Sequence, residues 1–187
     1  MTEDQLIRHC APTLAGLKTG SLFACAYDSK DILLHDIGQL NSRLVSKGLR
    51  VLPLRFSEKR ALIYMYRPSR LSADLANDAA AALLQRRGYD CQNCEQCLIL
   101  LIQKLRTQSE FPHEIGLFLG YPPEDVRGFI EHKACKCTGV WKVYGDEAAA
   151  KKKFAQYQKC TRVYYEQWSK GRSIEHLAVF SRPAKPS

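Results

Sequence analysis

The stretch Phe111-Pro-His-Glu-Ile-Gly-Leu-Phe-Leu-Gly-Tyr-Pro-Pro-Glu-Asp-Val-Arg-Gly-Phe129 sets a histidine and a carboxylate at the mouth of a short apolar run, then turns through prolines and acids. How it is read decides how much sheet the fold holds. Ile115, Leu117 and Leu119 alternate with Gly116, Phe118 and Gly120, a period of two that predicts a buried strand with one smooth side. A helix of one or two turns starting at Pro112 is the competing reading. Pro122-Pro-Glu-Asp has proline early and acids in a first turn, so a helix is expected from there to about Lys133.

Working outward toward the N-terminus, Leu6, Cys10 and Leu14 line up on a short helix, and Ser21 to Tyr27 reads as extended. Ile37, Leu40, Leu44 and Val45 share one face of a helix over Asp36 to Lys47, which Gly48 ends. Leu49 to Phe56 and Ala61 to Tyr66 are β-rich runs split by Ser-Glu-Lys-Arg, the mark of a hairpin. Pro53 cannot donate to a ladder, so its strand belongs at an edge or carries a bulge. Arg67-Pro-Ser-Arg reads as a loop. Ser72 is the expected cap of a helix, in one piece or two, that stops at Gly88. Cys94 to Arg106 is a helix with Cys97, Leu98, Leu101 and Leu105 inward.

Toward the C-terminus, Val140 to Tyr144 alternates like a strand. Asp146 caps a long helix to Lys170, with Phe154, Tyr157, Tyr164 and Trp168 on one side. Ser173 caps a last short helix, and 181–187 reads as a disordered tail. The fold class is α+β: one domain over 1–180, with a small, mostly antiparallel sheet and several helices.

Composition bounds the function. Twenty-eight basic residues against nineteen acidic ones give a net charge of +9, which favours acidic partners. The basic residues are dispersed and no nucleic-acid motif is present, so nucleic acid is set aside in favour of an acidic protein, such as an acyl carrier protein, or a small amine or acyl substrate. The alternative is a basic surface with no specific partner. The longest aliphatic run, Leu98 to Ile102, is too short to span a bilayer, and the acidic N-terminus lacks a signal peptide's pattern. A cytoplasmic protein is expected. Eight cysteines in a reducing compartment point away from a disulfide framework, toward metal, catalysis or buried thiols.

The chain resembles a family of bacterial proteins catalogued as domain of unknown function 3793. The resemblance rests on Leu-Ala-Gly-Leu-Lys-Thr-Gly-Ser-Leu-Phe (14 to 23), Leu-Pro-Leu-Arg-Phe (52 to 56), residues 111 to 126, and Trp-Lys-Val-Tyr-Gly-Asp (141 to 146). A looser resemblance, in the order of Cys and then His alone, is to papain-like cysteine proteases, including relatives that form amide bonds. That second resemblance implies a papain-like fold and a cysteine nucleophile. Cys25 would attack an amide or thioester, His113 would be its base, and Asp125 would orient the imidazole, with Glu114, Glu124 and Asp146 as rivals for that role. No long helix follows Cys25, which leaves a buried strand residue as the other reading, and His113 has a passive role as a cap or ion-pair partner as its own alternative.

A second constellation is Cys91-Gln-Asn-Cys94-Glu-Gln-Cys97, with Cys135 and Cys137 later. Two residues between thiols is metal-ligand spacing, so Cys91, Cys94 and Cys97, with Cys135 or else Cys137 as the fourth ligand, form a candidate zinc or iron–sulfur set. Core packing of Cys97 is the alternative. Two functions therefore stand: cysteine-dependent acyl transfer or hydrolysis, or a non-enzymatic module that binds a metal or a protein through its cysteines and basic surface.

Overall fold

Thr2 starts the first helix, α1 (Glu3–Leu14), through a capping box: its hydroxyl accepts from the Gln5 N–H, and the Gln5 side chain accepts from the Thr2 N–H. The computed structural model describes residues 1–89 and 93–180. The tail predicted over 181–187 lies outside the described residues.

After α1 the chain enters β1 (Gly20–Ala26) and then α2 (Lys30–Leu44). The Ser29 hydroxyl accepts from the Ile32 N–H and so opens α2 well before Asp36, where the apolar spacing placed it. Leu33 extends the inner stripe of Ile37, Leu40 and Leu44 by one turn. A 3-10 turn over Val45–Lys47 ends at Gly48, whose φ of 73° only glycine adopts at no steric cost. β2 (Arg50–Phe56) and β3 (Arg60–Tyr66) then form the expected antiparallel hairpin. The sheet order is β1-β3-β2, all antiparallel. Pro53 satisfies both of its expectations, since β2 is an edge strand and the register shifts between Pro53 and Arg55.

The remaining elements are mostly helical, and small antiparallel sheets with many helices make the fold α+β. α3 (Pro68–Leu75) replaces the loop expected after Arg67, and Ser72 sits inside it instead of capping it. Proline at a first helical position has nothing to lose there, because that N–H has no partner in any helix. α4 (Asp78–Arg86) starts at Asn77, whose side chain accepts from the Ala79 and Ala80 N–H groups, so the predicted helix is in two pieces. α5 (Cys94–Thr107) buries Cys97, Leu98, Leu101 and Leu105 as read. α6 (Ile115–Phe118) and α7 (Pro123–Ile130) follow. A two-stranded hairpin, β4 (Cys137–Thr138) and β5 (Lys142–Val143), leads to α8 (Glu147–Ser169) and α9 (Ile174–Leu177). Asp146 accepts from the Ala149 N–H, as a cap should. Among the described residues, no helix is long and apolar enough to cross a membrane.

These elements group into two compact units. The first holds Met1–Ser69 and the chain from Lys159 onward. One face of its sheet, carrying Phe23, Cys25, Val51, Ala61, Ile63 and Met65, packs with the inner stripes of α1 and α2 and with Ile174 and Leu177. Each fully buried aliphatic side chain there stabilises by roughly 1.5–3 kcal/mol. Arg67 is fully buried in this unit. Its guanidinium donates to the carbonyls of Thr13 (2.7 Å), Leu14 (2.6 Å), Lys47 (3.2 Å) and Val179 (2.8 Å). Two of those carbonyls belong to the last turn of α1, where the helix itself supplies no donors.

The second unit is the continuous stretch Arg70–Gln158. It contains the whole segment on which the sequence analysis turned. That segment forms the helical turn α6, and the strand predicted over Ile115 to Leu119 is corrected accordingly. The Ile115, Gly116 and Leu117 N–H groups donate to the carbonyls of Pro112, His113 and Glu114, closing successive turns that a strand would leave open. Gly116 permits this packing, because a Cβ there would lie 2.8 Å from Cγ2 of Val126 on α7.

Candidate functional site

The second unit builds its site around the residues that flank α6. Glu114 comes first. It is fully buried, and its two oxygens meet Arg87 Nε at 3.3 Å and Lys104 Nζ at 3.4 Å. A buried carboxylate is tolerable only with such partners. They fix the backbone beside His113 against the ends of α4 and α5.

Asp125, in the first turn of α7, is the second anchor. One oxygen accepts the Trp141 indole N–H at 2.7 Å, and the other accepts the Tyr144 and Gly145 N–H groups, each at 2.7 Å. This ties α7 to the β4–β5 hairpin and its exit. Trp141 stacks on Tyr121 with ring centroids 4.9 Å apart and meets Phe154 edge-on at 4.6 Å. Burial, with a smaller contribution from Tyr157, pushes the Tyr121 hydroxyl up to about 12. That phenol stays protonated at neutral pH.

Two cavities share Tyr121, Asp125 and Trp141 as walls. One, of about 320 Å³, is lined by Phe111, His113, Leu119, Phe129 and Lys142 among others. His113 is half-buried there, and its ring meets the Phe129 ring edge-on at 4.8 Å. Lys142 Nζ lies 5.3 Å from the centre of the same ring. The other cavity, of about 560 Å³, has Asp74, Glu124 and Asp146 on its wall with Lys153 as the opposing charge. The first is an apolar slot with a cation and an imidazole, and the second is a more polar cleft.

The predicted catalytic residues fall as follows. His113 and Asp125 line the same cavity, yet no hydrogen bond joins them among the described residues, and the Asp125 carboxylate bonds instead to Trp141, Tyr144 and Gly145. Cys25 belongs to the first unit, on β1 opposite Ala61, and is fully buried. Its thiol lies 3.2 Å from the Ala26 carbonyl and 3.8 Å from Oε1 of Gln5. Burial pushes the thiol pKa up, against a small opposing effect of the N-terminal amine. Of the predicted metal ligands, Cys94 and Cys97 lie on α5 and Cys135 just before β4, while Cys91 lies outside the described residues. No group of three or more potential ligands converges among the described residues.

Sequence reasoning missed Trp141 and Lys142 as walls of the His113 cavity. Their signal was the strand-like alternation over 140–144, which fixes which side chains share a face but not what that face meets.

A family model described as a protein of unknown function (DUF3793) matches residues 6–178. No curated protein and no solved structure matches the chain.

Proposed function

Because the chain belongs to the DUF3793 family, whose description leaves activity open, we propose its function from the chemistry of the site: the second unit binds a small organic acid. The acid's apolar body enters the slot walled by Phe111, Leu119, Phe129 and Trp141, and its carboxylate meets Lys142 with His113 as a second donor. The observation that carries this reading is the pairing of an apolar slot of about 320 Å³ with a lysine that has no carboxylate partner among the described residues. That volume lies within the ordinary range of small-molecule sites, and a few polar groups on an apolar wall are how such sites orient a ligand. The surplus of positive charge over the whole chain likewise favours an anionic ligand.

Cysteine-dependent acyl transfer on a papain-like site has less support. It needs a thiolate at Cys25 with a base beside it, and the thiol contacts a backbone carbonyl and a glutamine amide in a setting that favours the protonated form. The metal reading draws support only from the Cys91–Cys94–Cys97 spacing.

The test is calorimetric titration with phenylacetate and hexanoate, each beside its uncharged alcohol, with Trp141 fluorescence as a second signal. The acids bind, and the alcohols bind about tenfold more weakly, the worth of one charge-assisted contact. Lys142→Met removes that difference and leaves alcohol binding unchanged. Equal affinity for acid and alcohol in the wild-type protein, or no binding of either at millimolar concentration, refutes the proposal.

A further inference from the structure

Cys135 is the exposed thiol among the described cysteines; Cys10, Cys25, Cys97 and Cys160 are buried, and Cys94 and Cys137 are half-buried. Cys135 and Cys137 flank Lys136, where the chain bends as it enters β4. Two residues that far apart span up to about 7 Å between Cα atoms in fully extended chain, the outer limit for a disulfide. The Lys136 N–H donates to the Val143 carbonyl at 2.8 Å and its Nζ donates to the Gly145 carbonyl, so this stretch of backbone is held in place while both thiols remain free.

We infer that Cys135 and Cys137 are a redox-active dithiol that exchanges with low-molecular-weight disulfides. The Cys135 thiolate attacks one sulfur of the disulfide RSSR, forming Cys135–S–SR and releasing RS⁻. The Cys137 thiolate then attacks the Cys135 sulfur, closing the Cys135–Cys137 disulfide and releasing the second RS⁻. The two thiol protons end on the two leaving groups, so the balance is two protein thiols plus RSSR giving one protein disulfide plus two RSH. The more exposed thiol makes the first attack, and the half-buried one resolves it. This site is independent of the organic-acid reading.

The probe is glutathione. The full chain is equilibrated anaerobically with mixtures of oxidised and reduced glutathione, quenched, alkylated with iodoacetamide and mapped by mass spectrometry. In the wild-type protein the peptide holding both cysteines loses two hydrogens, escapes alkylation at both sulfurs, and reverts on treatment with dithiothreitol. Cys137→Ser keeps one glutathione on Cys135, and Cys135→Ser gives neither product. Circular dichroism confirms that each variant is folded; if one is not, the wild-type map alone decides. A wild-type peptide that stays fully reduced in excess oxidised glutathione, keeps a lasting glutathione adduct, or pairs with a third cysteine overturns the inference.

Discussion

The Asp125 carboxylate accepts the Trp141 indole N–H at 2.7 Å while its second oxygen holds two backbone N–H groups of residues 144 and 145. A side chain saturated in this way acts as a joint between α7 and the hairpin. Asp125→Ala should therefore lower unfolding stability by about 3 kcal/mol, the worth of losing several charge-assisted bonds at once. Asp125→Asn should fall between the two, since its amide nitrogen cannot accept. Urea denaturation followed by Trp fluorescence measures both, and an alanine variant within about 0.5 kcal/mol of wild type would remove the joint from the account.

Arg67 is the corresponding fastener of the first unit. Replacing it with methionine removes the guanidinium donor from the carbonyls of Thr13, Leu14, Lys47 and Val179. We expect a loss of about 3–5 kcal/mol, read from the shift in urea midpoint. Lysine should rescue only part of it, because one ammonium cannot reproduce the guanidinium's planar fork. Full rescue by lysine would show that charge, and not the fork, matters.

Cys25 should resist iodoacetamide in the folded protein at neutral pH and react once urea exposes it. Its burial and raised pKa both disfavour the thiolate that alkylation needs. Rapid stoichiometric labelling of Cys25 in the native state would revive the acyl-transfer reading.

Glu175 supplies a pH dependence. Its bond to Arg43, which also binds Glu3 at 2.9 Å, holds the Glu175 carboxyl down to about 2 from 4.5. A lowered carboxylate pKa stabilises the fold at pH values above 4.5, and that stabilisation disappears as pH falls toward about 2. The stability gap between wild type and Glu175→Gln should thus be flat near neutrality and close on acidification. Partial exposure limits the gap to about 1 kcal/mol. Thermal melts of both proteins across that range provide the check, and a gap that widens in acid would reverse the assignment.

Elements with one wet face were legible in the sequence. The inner stripe of α5 and the edge position of Pro53 follow from spacing and from one missing donor. α6 was legible only as the competing reading, for a physical reason. Ile115, Gly116, Leu117 and Phe118 are all buried, so no solvent-facing residue marks a helical period, and chance alternation imitated a strand. The start of α2 was hidden because Ile32 and Leu34 are exposed apolar residues that blur its stripe. At the site, His113 and its two phenylalanines lie in one readable segment. Lys142 arrives from the hairpin because Asp125 holds Trp141, a tertiary choice that local sequence does not encode. Cys25 and His113 could be ordered along the chain, but sequence order says nothing of the β1 pairing that buries the thiol.

The bond from Arg67 to Val179 links residues 112 positions apart. During synthesis the residues of the first unit up to Ser69 emerge before the second unit, yet that unit cannot close until Val179 has left the ribosome. The second unit, being continuous, has every one of its residues available sooner. The segments of the first unit that precede the second are thus completed after it, and for that interval α1 and the three-stranded sheet lack the later segment that finishes their core.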